Sequence, residues 1–214
     1  MIRNFLAITI IFLTSCTHDG IFPNSEYKSL TENTFNSKKI EYGEDSPIFS
    51  IFNKELTTNE YQSLQFLYAY APNSDMNVDH DLMLNHVRTS LKAREEMAWG
   101  DSISNEMFLH FVLPIRVNNE PLDSFRSQYY ETLKARVANM SMQQAALEVN
   151  YWCQENVIYG SSDARTSSPL QSIKSGFGRC GEESVFTVAA LRAIGLPARQ
   201  VYAPRWSHSD DNHA

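Results

Sequence analysis

The chain opens on an apolar run over residues 5–13, behind a single positive charge at Arg3 and ahead of small residues leading to Cys16. A bilayer-spanning helix needs about 20 apolar residues, so this run is too short to cross a membrane and has the layout of an export signal. Residues 17–47 are rich in Ser, Asn, Thr and Lys with little periodicity, which predicts a flexible tether over 16–47. A helical period then takes over. Thr57-Thr58-Asn59 offers a cap for a helix to about Ala71, stopped by Pro72, and a second helix is predicted over 79–99. The second carries Leu84, Val87, Leu91 and Ala98 at near-helical spacing and ends at Gly100. Shorter helical signals cover 104–111 and 123–139, and the stretch VLPIRVNNEP between them reads as extended. Ser141 and Gln144 have capping-box spacing ahead of an apolar face of Ala145, Val149, Trp152 and Cys153.

The polar loop YGSSDARTSS over 159–168 marks a shift in composition, and places a boundary between a helical region, 48–158, and a second unit, 159–214. In that unit a helix over 182–194 is apolar almost all round, through Val185, Phe186, Val188, Ala189, Leu191 and Ile194, which predicts burial on most faces. Gly195 and Pro197 end it. The segment ARQVYA, 198–203, then reads as a strand. At about 3.3 Å per residue it carries the chain back along a helix roughly 20 Å long. A turn follows, with His208 in the loop and His213 where the next strand would begin. The expected fold class is therefore α+β, mainly helical at first, with antiparallel strands after the buried helix.

Charge narrows the partners. The net charge of −7, with scattered Lys and Arg, leaves no basic face for nucleic acid. His80, His86 and His110 fall within the helical part and read as structural histidines, and Trp99 and Trp152 as core anchors. The cysteines carry more. Leu13-Thr14-Ser15-Cys16 resembles the bacterial lipobox. That resemblance implies that residues 1–15 are a signal peptide, that Cys16 is lipidated, and that the acyl chains hold the protein to a membrane of the bacterial envelope, on the outer membrane or the periplasmic face. Cys153 and Cys180 are then left. An oxidising compartment would let them pair, whereas the company of Val149 and Trp152 makes Cys153 a buried free thiol.

Cys180 sits in FGRCGEES at the predicted start of the buried helix. Unpaired backbone N–H groups and the positive end of the helix dipole favour a thiolate there, and Arg179 adds to the effect. The same N–H groups can hydrogen-bond an oxyanion on an attacked carbonyl. Gly178 and Gly181 permit a tight turn and a close substrate approach. A thiolate nucleophile needs a base, and both His208 and His213 fall at the right end of the helix. A zinc site from Cys153, Cys180, His208 and His213 lacks a C-x2-C chelate, and no acidic cluster supports calcium. No metal or cofactor is therefore expected.

The run GRCGEESVFTVAALRAIGLPARQV followed by DNHA closely resembles the transglutaminase-like core, a papain-like cysteine fold; GRCGE, GLPAR and NHA occur in order between about 168 and 214. The resemblance implies that Cys180 is the nucleophile and His213 the general base, and it leaves His208 without a role. It also implies acyl transfer at an amide of a protein, peptide or glycopeptide, released to water or to an amine. A similar G-R-C-G-E occurs in the peptide N-glycanase branch, so an amidase of that kind is an alternative, as is an inactive lipid-anchored binding module. The family's third member is an Asp a dozen or more residues beyond the His. The chain given stops one residue after His213, and Asp210 and Asp211 lie too close in sequence to replace it. The expectation is a core incomplete at its C-terminus, the fragment of a longer protein.

Overall fold

The computed structural model describes residues 20–161, 166–208 and 213–214. The predicted signal peptide, the lipobox-like stretch with Cys16, and Asp210 and Asp211 lie outside these. Helices dominate: α1 (Ser25–Tyr42), α2 (Thr58–Tyr70), α3 (His80–Glu96), α4 (Asn105–Met107) running into a π-helical turn (Phe108–Val112), α5 (Phe125–Arg136), α6 (Met142–Asn156), α7 (Pro169–Ser175) and α8 (Cys180–Ala193). Two short strands, β1 (Ile158–Tyr159) and β2 (Phe177–Gly178), pair in parallel, with Ile158 opposite Phe177 and Tyr159 opposite Gly178.

The predicted tether is the first correction. Residues 25–42 form α1, capped by Asn24, whose side chain accepts the Tyr27 N–H at 2.8 Å. Tyr27, Thr31 and Phe35 fall at i, i+4 and i+8, a stripe one residue wide, and Phe35 packs edge-on against Phe49. Ile21 and Phe22 are also buried, and the Ile21 N–H donates to Gln62 Oε1 at 2.8 Å. So narrow a stripe carries little periodic signal, yet it seats the segment on α2.

The predicted capping box of Ser141 with Gln144 is present, and the predicted cap at Thr57 forms a second box with Glu60. They start α2 and α6 one residue after the cap, and each box satisfies two N–H groups that a helix start would leave orphaned. α8 is the central helix, and packs against α3, α5, α6 and α7. Gly195, at φ 76°, ends it in the left-handed conformation that glycine adopts without a Cβ penalty. Trp99 Nε1 donates to the Ile194 carbonyl at 2.9 Å and ties the end of α3 to the end of α8.

No break separates 48–158 from 159–214. α5 and α6 bury Phe125, Leu133, Val149 and Trp152 in the same core as Phe186 and Ile194. VLPIRVNNEP forms an irregular loop, held by Arg116 on Asp75 at 2.6 Å and by Glu120, which is 2% exposed and accepts the N–H groups of Val117 and Asn118 at 2.7 and 2.8 Å.

The predicted strand over 198–203 is the second correction. Among the described residues its only ladder contact is an isolated antiparallel bridge between Ala203 and His213. Its start is tied to the helical body instead: the Ala198 N–H donates to the Phe111 carbonyl at 3.0 Å, and Arg192 Nε donates to the Ala198 carbonyl at 2.9 Å. The helical part of the α+β expectation stands, whereas the sheet described is the parallel β1–β2 pair.

His86 is a structural histidine. It is buried, and its Nε2 lies 2.7 Å from the Leu113 carbonyl. Burial, with the Arg126 guanidinium nearby, holds its imidazole well below the usual histidine range. The unfolded chain therefore binds one proton more than the native state once pH falls below about 6.5, and stability drops by about 1.4 kcal/mol per pH unit from there until the folded imidazole titrates. Urea unfolding at pH 7.5 and 5.5 checks this. The wild type loses about 1.4 kcal/mol more over that interval than His86→Gln, and equal losses would contradict it.

Candidate active site

Cys180 is the first residue of α8, where the sequence pattern places it, and Arg179 is its N-cap. The turn before it is set by Glu182, which is 1% exposed. Its carboxylate accepts the Arg179 N–H at 2.9 Å and an Arg179 guanidinium N–H at 3.4 Å. Gly178 makes room for this arrangement: a Cβ at 178 would lie 2.6 Å from Glu182 Cβ. Gly181 is different, since a Cβ there meets nothing within 4 Å. The glycine before the cysteine is thus required by packing, and the one after it leaves open space over the first turn. Glu182 is a site residue that sequence reasoning passed over. Its signal was its place three residues after the cap, the acidic N3 position of a capping box.

Cys180 is half-buried and lines a cleft of about 660 Å³. Val117, Asn118 and Asn119 contribute to its walls, as do Tyr159, Gln200 and Tyr202. Its polar lining combines carboxamides and hydroxyls with the Arg179 guanidinium and the Glu182 carboxylate. Gln200 Nε2 donates to Ser184 Oγ at 2.5 Å and toward the Gly181 carbonyl at 3.4 Å, while Asn118 Nδ2 donates to Gln200 Oε1 at 2.5 Å. One side chain beyond the helix thereby joins the 117–119 loop to the first turn of α8.

His213 returns to this end of the helix. Its N–H and carbonyl bond with Ala203 at 2.9 and 2.8 Å, and its imidazole is close enough to act on Glu183, one turn after Cys180. Burial raises the Glu183 carboxyl and the charge of His213 opposes the rise. No hydrogen bond joins Cys180 Sγ to His213, and Ala214, the residue after the histidine, is the one that lines the cysteine cleft. His208 is exposed, in ring contact with Trp206.

Cys153 is free, as is Cys180. It is 5% exposed in α6, and burial pushes its thiol up to about 12 while the Thr187 hydroxyl opposes the shift. The two thiols differ in burial: Cys153 is 5% exposed, and Cys180 is half-buried on the cleft. Among the described residues no three His, Cys, Asp or Glu side chains gather as a metal site would need, and no helix is long and apolar enough to cross a membrane.

Residues 131–214 match the family model of the transglutaminase-like superfamily. This part of the chain is similar to a transglutaminase-like core. Searches of curated proteins and of solved structures returned no match. The transglutaminase-like segment begins inside α5, earlier than the GRCGE, GLPAR and NHA motifs alone locate it, and it takes in α6, which packs against α8. It thus includes the helix start with Cys180, the bridge with His213 and the Tyr159, Gln200 and Tyr202 side of the cleft. The 117–119 wall comes from upstream of the transglutaminase-like segment.

Proposed function

We propose that this protein is a cysteine-dependent enzyme acting on amide bonds through an acyl-enzyme, anchored to a bacterial envelope membrane by lipid on Cys16. The observation that carries the activity is the position of Cys180, half-buried at the first turn of a buried helix and open to a cleft large enough for a peptide-sized substrate. The anchor is supported by the lipobox-like LTSC sequence alone.

In this reading His213 takes the proton of the Cys180 thiol, and Sγ attacks the amide carbon. A C–S bond forms as the carbonyl oxygen gains charge, facing N–H groups of the first turn of α8 that have no intrahelical acceptor. The C–N bond then breaks, and the amine leaves with the proton carried by His213. Water adds to the thioester with His213 as base, releasing a carboxylic acid and the thiol. An amine in place of water gives a new amide.

The test compares the full chain with Cys180→Ala and His213→Ala for release of ammonia or new amines from a protein substrate. Cys180→Ala abolishes release, and His213→Ala lowers it by about 100-fold or more. Full activity in both variants would overturn the reading.

A further inference from the structure

Asn118 stands on the wall of the Cys180 cleft with half of its carboxamide committed. One Nδ2 hydrogen is donated to Gln200 Oε1, and the Gln200 amide nitrogen is itself spent on Ser184 and Gly181. The backbone beneath Asn118 is fixed as well, because its N–H is held by Glu120. What remains is the Oδ1 acceptor and the second Nδ2 hydrogen, neither with a partner among the described residues. An exposed asparagine would ordinarily sample several rotamers, but here a bond to a second tethered carboxamide selects one.

Tyr159 lines the same cleft. β1 bonds to β2 through the N–H groups of Ile158 and Gly160, at 3.1 and 2.9 Å. Alternation along a strand then turns the N–H and carbonyl of Tyr159 away from β2. Neither has a partner among the described residues. Among the described residues the cleft thus has an unpaired strand edge and a pre-set carboxamide, with the thiol lining the same space.

An extended peptide residue presents its N–H and carbonyl on the same side, a two-point match for a carboxamide acceptor and donor. A lone trans secondary amide, such as the acetamido group of a sugar, presents them on opposite edges and can satisfy only one. We infer that Asn118, held by Gln200, pairs with the backbone of an extended polypeptide laid across Cys180, and that Gln200 is the positioning residue for this contact. The inference rests on reading Cys180 as the nucleophile. It makes a polypeptide strand, recognised through its main chain, the substrate, and the free edge at Tyr159 offers that strand a second line of backbone bonds.

The test uses alkylating probes of the Cys180 thiol in the full chain: iodoacetamide, a tripeptidyl chloromethyl ketone, and a bromoacetamide borne on glucosamine. Asn118→Leu lowers the peptidyl rate about tenfold, the worth of two hydrogen bonds, and leaves the iodoacetamide rate within about twofold. Gln200→Leu acts in the same direction with a smaller loss, because Asn118 keeps its chemistry and loses its orientation. A peptidyl rate unchanged in Asn118→Leu would overturn the inference. So would equal falls for iodoacetamide and the peptidyl probe, the mark of a disturbed helix start, or a tenfold loss for the sugar-borne probe alone. Failure of iodoacetamide to label Cys180 in the wild type is a separate result, and it would remove the nucleophile reading itself.

Discussion

Gly178→Ala is expected to destabilise the protein by about 2–4 kcal/mol, whereas Gly181→Ala, three residues away on the same turn, stays within about 1 kcal/mol of the wild type or above it. The asymmetry follows from what each new Cβ would meet. At 178 it lies 2.6 Å from Glu182 Cβ. Neither atom is the far end of a flexible chain, so the turn itself must shift. A shift there pulls the Glu182 carboxylate away from the Arg179 N–H, which it now accepts at 2.9 Å. The lost bond adds the penalty of a buried, less satisfied carboxylate to that of the clash. At 181 a Cβ meets nothing within 4 Å, and alanine is the better helix former. Thermal unfolding measures the contrast: the midpoint of Gly178→Ala falls by roughly 5–15 °C for a chain of this size. Equal midpoints for the two variants would contradict the packing account of the turn that presents Cys180.

Much of the site was legible because its signals are local. The run from Val185 to Ile194 is apolar on nearly every face, and Gly195 and Pro197 follow it. This pattern places a buried helix and puts Cys180 at its start, where the structure has it. The capping box at Ser141 and the cap at Thr57 were legible for the same reason. α1 was not, since Tyr27, Thr31 and Phe35 form too thin a stripe to rise above the polar residues around them. α7 is only seven residues long, and its start at Ser168 and Pro169, a capping serine with proline at the first helical position, sat at the end of what reads as a loop.

The cleft walls depend on long-range contacts that no local pattern encodes. Asn118 and Gln200 are 82 residues apart in sequence and meet only because the 117–119 loop is held by Glu120 and the post-helix segment is held by Arg192. The segment 198–203 shows the reverse limit. Its composition suits a strand, but a strand exists only where a partner ladder meets it, and its first residue bonds to Phe111 in the helical body.

The central claim is that Cys180 is a nucleophile presented to a cleft, and the alkylation of the native wild-type protein by iodoacetamide tests it most directly, with Cys153 as the internal reference. Cys153 is buried in α6 and its thiol is pushed up to about 12. Although Cys153 borders a cavity of about 480 Å³, its raised thiol leaves little thiolate near neutral pH, which suppresses its rate by roughly 10³-fold relative to an ordinary thiol. Cys180 is half-buried on its own cleft. Mass spectrometry of peptides from protein labelled near neutral pH should show Cys180 modified at least about 10³ times faster than Cys153, with both labelled once the protein is unfolded in urea. Equal, slow labelling of the two thiols in the native protein would contradict the account.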